Sequence, residues 1–566
     1  MENLTKEQEK IITETVKNKP GTYFVEAAAG SGKSFTIFKA IDYIKLHEPD
    51  AKILYIVFNK ANQISAERKL SQYQLSSSPV KVCTCNSYGY EKWLRTIGPF
   101  EVFNTFDKNI IYEFQKSSPF FDVKYSKHKP FKKLLEMYEC SKLTLDSFCK
   151  DIEFHFDDDY QGFDKPKYCE LIGKNGEKVI KFGIQCDNYS VITKNHIPTF
   201  KKLVEYYLAE KKYTHGMYMK AAAYSNNEKV KGDSWDYVFF DEAQDANYFV
   251  LKLLNKQNIK KIYFVGDSRQ SIYSFGGLNE NVFKTYKYNK KYTLSKSFRF
   301  GKAVCDIANI ILNGDGLKLK GTEQSTDIDY SKITRLYRTN AKLFKDSLEL
   351  AYGAKIANKR IKFNFMRTEL DSKANDDMMC FIGLYYQYQN SSIYYQYQRF
   401  FNGFAKSEVL QMFENRLKEK HNFFSAYNEF YDFFNDDIHT ILNYIKEDAH
   451  FIDKYKALQD CKYIFDNFDY EITLVTMHRS KGLEWDNVII AEPTKLYYTS
   501  KDGSIHKNSD FQQELNLAYV AATRSRKTLD ASILITELEE FGIDTKLNTF
   551  KVDNGKEVLI KTEVSA

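Results

Sequence analysis

The stretch EAAAGSGKSFTIFKAIDYIK, residues 26–45, decides the fold. It follows TYFVEA, a β-branched and aromatic run beginning at Thr22, and after a glycine-bearing turn it becomes an amphipathic helical pattern. Strand, turn and helix in that order present the backbone N–H groups of Ala29, Gly30, Ser31 and Gly32, with the helix N-terminus, to a phosphate chain. Lys33 is placed to neutralise the outer phosphates and Ser34 to ligate a divalent metal. The first position of the G-x-x-x-x-G-K-[ST] pattern is Ala27, but Gly30 and Gly32, which must let the backbone approach phosphate, are in place.

Outward from this turn, short apolar runs recur: KILYIVF from Lys52, VKVCT from Val80, DYVFF from Asp236, KIYFV from Lys261, TRLYR from Thr334, EITLVTM from Glu471 and DNVIIAEP from Asp486. Helical patterns lie between many of them, which is the signature of parallel α/β layers. Two long interruptions, about 91–219 and 346–468, break the series. The expected fold is α/β, with two P-loop-type lobes of parallel sheet that each carry a mostly helical insert. The lobes comprise 1–90 with 220–293, and 294–345 with 469–566. DYVFF runs directly into DEAQD (Asp241–Asp245), delivering two adjacent carboxylates to a strand end, where open α/β sheets bind ligands. Beside a phosphate loop, Asp241 is placed to hold Mg²⁺ and Glu242 to orient or deprotonate an attacking water; standing alone, DEAQD also fits a solvated helix start.

The 566 residues carry a net charge of +7, which permits a polyanionic partner without requiring one. With 42 Tyr and 44 Phe, stacking surfaces are available, although Lys-, Asn- and Tyr-rich usage also fits a coding bias. Nine cysteines without a C-x-x-C pair and a charged, polar N-terminus favour a reducing, cytoplasmic setting, nucleoid-associated or nuclear according to the source. No apolar run approaches the roughly 18 residues that would cross a bilayer.

The order of motifs resembles the superfamily 1A DNA helicases of the UvrD/Rep type. LTKEQEKII is similar to their adenine-reading segment, with Gln8 as reader; LYIVFNKANQISAERKL and VKVCTCNSYGY are similar to their DNA-contacting segments. VGDSRQSIYSF, SKSFRFG, LYRTNA, VTMHRSKGLEW and LAYVAATRSRK follow in the family's order. FNKANQ, YTHGMYMK and LSKSFRFGKAVCDIANIIL most resemble the Fbh1-like branch, whose eukaryotic members carry an F-box. Too few residues precede the first motif for an F-box, and too few follow the last for the nuclease domain of RecB/AddA proteins; both are expected to be missing.

The resemblance implies an ATP- and Mg²⁺-dependent motor on single-stranded and tailed duplex DNA, moving 3′ to 5′ in repair, recombination or replication. It implies that Gln270 senses the γ-phosphate, that Arg299 and Arg524 are paired arginine fingers, that Glu484 binds ribose and that Phe298 stacks on adenine in place of the more usual Tyr. It also places Phe58, Asn59, Ser87, Phe275 and His478 on DNA. Without the resemblance, Arg299 and Arg524 read as surface residues, and each Phe reads as core. Relatives commonly carry Arg directly after the aromatic at 275, whereas this chain has Gly276, and Arg269 is no obvious replacement. The competing reading is a DNA-stimulated ATPase that remodels nucleoprotein, or serves as motor subunit to a nuclease or defence partner, without processive unwinding. Cys140, Cys149, Cys169 and Cys186 have spacings that favour thiols over a metal cluster. The acidic run at 157–159 reads as a solvated loop, and the repeated YYQYQ at 385 and 394 reads as helix packing before a further stacking surface.

Overall fold

The computed structural model describes residues 4–560 apart from 72–79, 107–109, 111–113, 115–127, 155–167, 173–177, 183–195, 273–278, 281, 313–317, 323–331, 360, 366–371, 390, 404–405, 407, 421, 431–441, 447, 449, 461–470, 500–504, 509, 541–548 and 554–555. Its first sheet contains β1 (Gly21–Ala27), β2 (Ile53–Val57), β3 (Val80–Thr84), β4 (Ser234–Asp241), β5 (Asn258–Gly266) and β6 (Lys290–Leu294), in the order β6-β1-β5-β4-β2-β3. Every pairing is parallel, with Val25 opposite Val265 and Val265 opposite Asp241. The carboxyl ends of β1, β4 and β5 therefore lie side by side.

Alternation along these strands assigns their two faces. Tyr23, Val25, Tyr55, Phe239 and Val265 pack with Ile11 and Ile12 of α1 (Lys6–Lys17) and Ile37, Ile41 and Ile44 of α2 (Lys33–His47). The intervening residues Phe24, Leu54, Ile56, Val238, Phe240 and Phe264 face the other way, into a core shared with Phe131, Leu134, Phe148, Phe200 and Tyr207 of the first insert. The insert is thus not a separate globule beside the lobe but the cover of one sheet face. Its expected limits at 90/91 and 219/220 fall inside helices, α3 (Lys60–Lys69) being followed by α4 (Cys85–Ile97), which spans the first, and His215–Tyr224 spanning the second. Chain continuity through a helix holds the insert on the sheet more rigidly than a loop does.

The second sheet contains β7 (Ile333–Tyr337), β8 (Phe363–Phe365), β9 (Ile472–Thr476), β10 (Trp485–Ile490) and β11 (Ser525–Asp530), ordered β8-β9-β7-β10-β11 and again parallel. The same device recurs: Leu336 and Val475 face one core, whereas the adjacent Tyr337 and Leu474 face the helices of the second insert. Tyr386 and Tyr394 of the YYQYQ repeats are buried in that second core, with Tyr394 stacked on Phe401, while Tyr395 is exposed. Among the described residues no helix is long and apolar enough to cross a membrane. The acidic run at 157–159 and Cys186 lie outside the described residues, as does the side chain of Cys169; Cys140 is exposed and Cys149 buried.

Candidate functional site at the seam between the sheets

The turn after β1 bends twice through left-handed backbone, at Gly30 (φ +71°) and Gly32 (φ +78°). A side chain at Gly30 would also collide with Arg299 Cβ and Ser297 Oγ, so glycine is required there by space as well as by conformation. Gly32 begins α2 without any side-chain cap, leaving first-turn N–H groups for an external acceptor. Ser31, buried, has no hydrogen-bond partner for its hydroxyl among the described residues. These are the features of a phosphate cradle.

Lys33 Nζ lies 3.3 Å from Glu242 Oε1. Burial disfavours its charge, but Glu242, Asp267 and Asp241 outweigh burial and hold the ammonium more firmly protonated than usual. The two neighbouring carboxylates diverge. Burial, with the charge of Glu242, pushes Asp241 up, whereas for Glu242 the burial penalty is overcome by Lys33, Lys481 and Gln244, which hold it down. Asp241 Oδ2 accepts from Ser34 Oγ at 3.1 Å and from Tyr55 OH at 2.9 Å. Ser34 and Asp241 thus offer hard oxygen donors side by side, which suits magnesium. Glu242 adopts φ +54°, a conformation uncommon outside glycine, asparagine and aspartate, which aims its side chain back at Lys33.

Gln244, unassigned from sequence, bridges the two strand ends. Its Nε2 donates to Glu242 Oε2 at 2.5 Å and its Oε1 accepts from the Asp267 N–H at 3.0 Å. A side chain at Gly266 would strike Gln244 Oε1, which explains the Gly-Asp step ending β5. Gln270 donates through Nε2 to Asp267 Oδ2 at 2.9 Å.

The second sheet closes the site. Arg524, 1% exposed, donates to the Val520 carbonyl through Nε at 2.8 Å and approaches Gln270 Oε1 through Nη2 at 3.5 Å. Burial, followed by the like charge of Arg299, lowers its pKa to about 9. Arg299 pairs with Glu484 at 2.6 Å and donates to the Thr523 carbonyl at 3.0 Å. The sequence's surface reading of both arginines is therefore wrong for Arg524, which is fully enclosed. Lys481, which the sequence also leaves unassigned, crosses the seam to Asp245 and donates to the Gln270 carbonyl at 2.6 Å. Gln8 and the 46%-exposed ring of Phe298 converge over Gly32, whose imagined Cβ lies 3.1 Å from Gln8 Nε2 and 3.8 Å from the ring.

The remaining sequence candidates also sit at strand ends. Phe58, 45% exposed, follows β2, and Asn59 caps α3 by accepting from the Asn62 N–H at 2.8 Å. Ser87 completes a reciprocal capping box with Thr84 at the start of α4. His478 follows β9, and burial, with the nearby Arg338, lowers its pKa to about 4. Phe275 and Gly276 lie outside the described residues; Arg269 is 3% exposed and presents no surface cation.

Residues 4–291 match the UvrD/REP helicase N-terminal domain family and residues 471–529 the UvrD-like helicase C-terminal domain family. The chain is similar to F-box DNA helicase protein 1 of Schizosaccharomyces pombe, 27% identical over 94% of this chain and 58% of the relative. It is also similar to F-box DNA helicase 1 of Gallus gallus, 25% identical over 53% of this chain and 29% of the relative. ATP-dependent DNA helicase PcrA of Staphylococcus aureus is 22% identical over 52% of this chain and 54% of its own length. The chain thus spans less than two thirds of these relatives. A phosphate cradle, strand-end carboxylates and buried arginines at one seam, with a family match over half the sequence, lead to one conclusion: this chain belongs to the UvrD/REP helicase family.

Proposed function

We propose that the protein is an ATP-dependent DNA helicase or translocase that moves 3′ to 5′ on single-stranded DNA and opens tailed duplexes in repair, recombination or replication. The observation that carries this reading is the convergence of Lys33, Asp241, Glu242, Gln270, Arg299 and Arg524 from two separate sheets on one seam. Lys33 and the backbone from Gly30 to Ser34 bind the phosphates, the Ala29 N–H of the expected set being taken instead by the Tyr519 hydroxyl; Gln8 and Phe298 hold the base, and Glu484 holds the ribose. Ser34 and Asp241 hold Mg²⁺, which when bound neutralises phosphate charge. Glu242, kept ionised by Lys33 and Lys481, accepts the proton of the attacking water. Gln270, Arg299 and Arg524 stabilise charge at the γ-phosphate, so hydrolysis requires both lobes together. Phe58, Asn59, Ser87, Phe275 and His478 form the DNA track, with residues 91–219 and 346–468 as inserts of lobes 1–90/220–293 and 294–345/469–566.

A second reading, a DNA-stimulated remodelling ATPase working with a nuclease, repair or defence partner, is favoured by Gly276 and by the burial of Arg269, which cannot replace the missing cation. Hydrolysis assays with and without single strands, beside unwinding of tailed duplexes, separate the two. Lys33→Ala and Glu242→Gln are expected to lose hydrolysis by at least about a hundredfold. Full DNA-stimulated hydrolysis by Lys33→Ala would remove the site assignment. Stimulation without strand separation would favour the remodelling motor.

A further inference from the structure

A buried junction beside the phosphate cradle ties the orientation of Gln270 to the second lobe. Tyr519, fully buried on the helix Phe511–Ala522, accepts the Ala29 N–H at 3.2 Å and donates its hydroxyl to Asp267 Oδ2 at 3.0 Å. The same oxygen receives Gln270 Nε2, while Asp267 Oδ1 receives Arg269 Nε at 2.6 Å and the Arg269 N–H at 3.2 Å. The Arg269 guanidinium lies 5.5 Å from the centroid of the Tyr519 ring. Its Nη1 and Nη2 are buried without a hydrogen-bond partner among the described residues.

An apolar side chain would pack at this place without that desolvation cost, so stability does not account for the arginine. Its geometry does: Nε fixes one oxygen of Asp267 and the guanidinium face rests against the tyrosine that fixes the other. Asp267 in turn holds the Gln270 amide with its nitrogen inward and its oxygen toward Arg524. Tyr519 belongs to the second lobe, whereas Ala29, Asp267, Arg269 and Gln270 belong to the first. Separation of the lobes takes away the hydroxyl that joins the start of the cradle to Asp267.

We propose that Tyr519 and Arg269 are positioning residues that set the rotamer and amide orientation of Gln270 only when the lobes are closed, coupling hydrolysis to closure. This rests on the reading of the seam as an ATP-hydrolysing site. It goes beyond that reading in assigning two residues that touch no nucleotide.

The test is steady-state ATP hydrolysis by the full chain, with and without a single-stranded oligonucleotide, alongside thermal unfolding. Tyr519→Phe removes one hydroxyl at nearly constant volume and is expected to lower DNA-stimulated kcat roughly tenfold, with KM for ATP within about twofold. Arg269→Met is expected to lower kcat similarly, and Arg269→Lys, which keeps a donor for Asp267, to recover most of it. Asn516→Ala breaks a neighbouring bond between the lobes, the 2.8 Å contact from Asn516 Nδ2 to the Ser271 carbonyl, without touching Asp267, and should keep kcat. Unchanged kcat in Tyr519→Phe overturns the proposal, as does an equal loss in Asn516→Ala, or a lowered melting temperature with unaltered kcat. If Tyr519→Phe does not fold, the comparison of Arg269→Met with Arg269→Lys decides on the same readout. Retained hydrolysis in Lys33→Ala marks a failure of the underlying site reading instead, because the positioning effect requires that site.

Discussion

Two adjacent carboxylates can be shifted in opposite directions, and the seam holds such a pair. Asp241 is pushed up by burial and by its neighbour, while Glu242 is held down by two lysines despite burial. His478 shows the same sensitivity: burial first, then Arg338, lowers its pKa from 6.5 to about 4. A folded value below the unfolded one leaves the imidazole neutral throughout the physiological range, so on the proposed DNA track it would act as a hydrogen-bonding group and not as a cation. The affinity ratio between the native chain and His478→Gln for a labelled oligonucleotide, at fixed ionic strength, should therefore be flat from about pH 6 to about pH 8. A ratio rising toward the acidic end would show a charged ring. At this scale the sequence was most legible where motif spacing applies: Lys33, Ser34 and Asp241, singled out by spacing as phosphate and metal candidates, lie in one cluster with Glu242 in the folded chain. Tyr519, Lys481 and Gln244 were not singled out, because their partners lie 490, 236 and 23 positions away in the chain and come near only after folding.

Among the elements, the helix His215–Tyr224 shows how an insert is pinned. Thr214 caps it by accepting the Met217 N–H at 3.2 Å and donates its hydroxyl to Glu139 Oε1. Gly216 leaves room for that carboxyl, since a side chain there would lie 2.6 Å from Glu139 Cδ. Burial pushes the Glu139 carboxyl up to about 7; Glu136 adds to this, while Thr214, Lys220 and the Met217 N–H oppose it. Because the folded value exceeds the unfolded one, the contribution to stability is present at low pH and is lost as pH rises through about 7. Glu139→Gln should accordingly melt near the native chain at about pH 5 and above it at about pH 8, by a few degrees in a scan at each pH. Equal differences at both would place the ionisation elsewhere. The strands were legible as β-branched runs, whereas the expected limits of the first insert fall within helices, where composition gives no mark of a crossing. Polar composition marks where a core face ends, whereas α4 and His215–Tyr224 carry apolar residues on both sides of the expected boundaries and so conceal the crossing.

Across the whole molecule, two parallel sheets meet through side chains that the second contributes to the strand ends of the first. Lys481 reaches Asp245 and the Gln270 carbonyl, Asn516 reaches Ser271 and Tyr519 reaches Ala29 and Asp267. Lys481→Met should leave Asp245 buried beside Glu242 without its cation, loosening the closed arrangement. Small-angle scattering would then report a larger radius of gyration without nucleotide, and an unchanged radius would assign the closed form to the other contacts. Apolar surface contributes to the same joint: Ala28, Ala29 and Ile272 are buried in the core cluster of the second sheet, against Tyr519 and its neighbours. Parting the lobes wets that surface, so closure carries a negative heat-capacity change and its hydrophobic share fades on cooling. This surface therefore favours closure more in the warm than in the cold, and if nucleotide binds the closed seam as proposed, its affinity should trace a curved line against temperature.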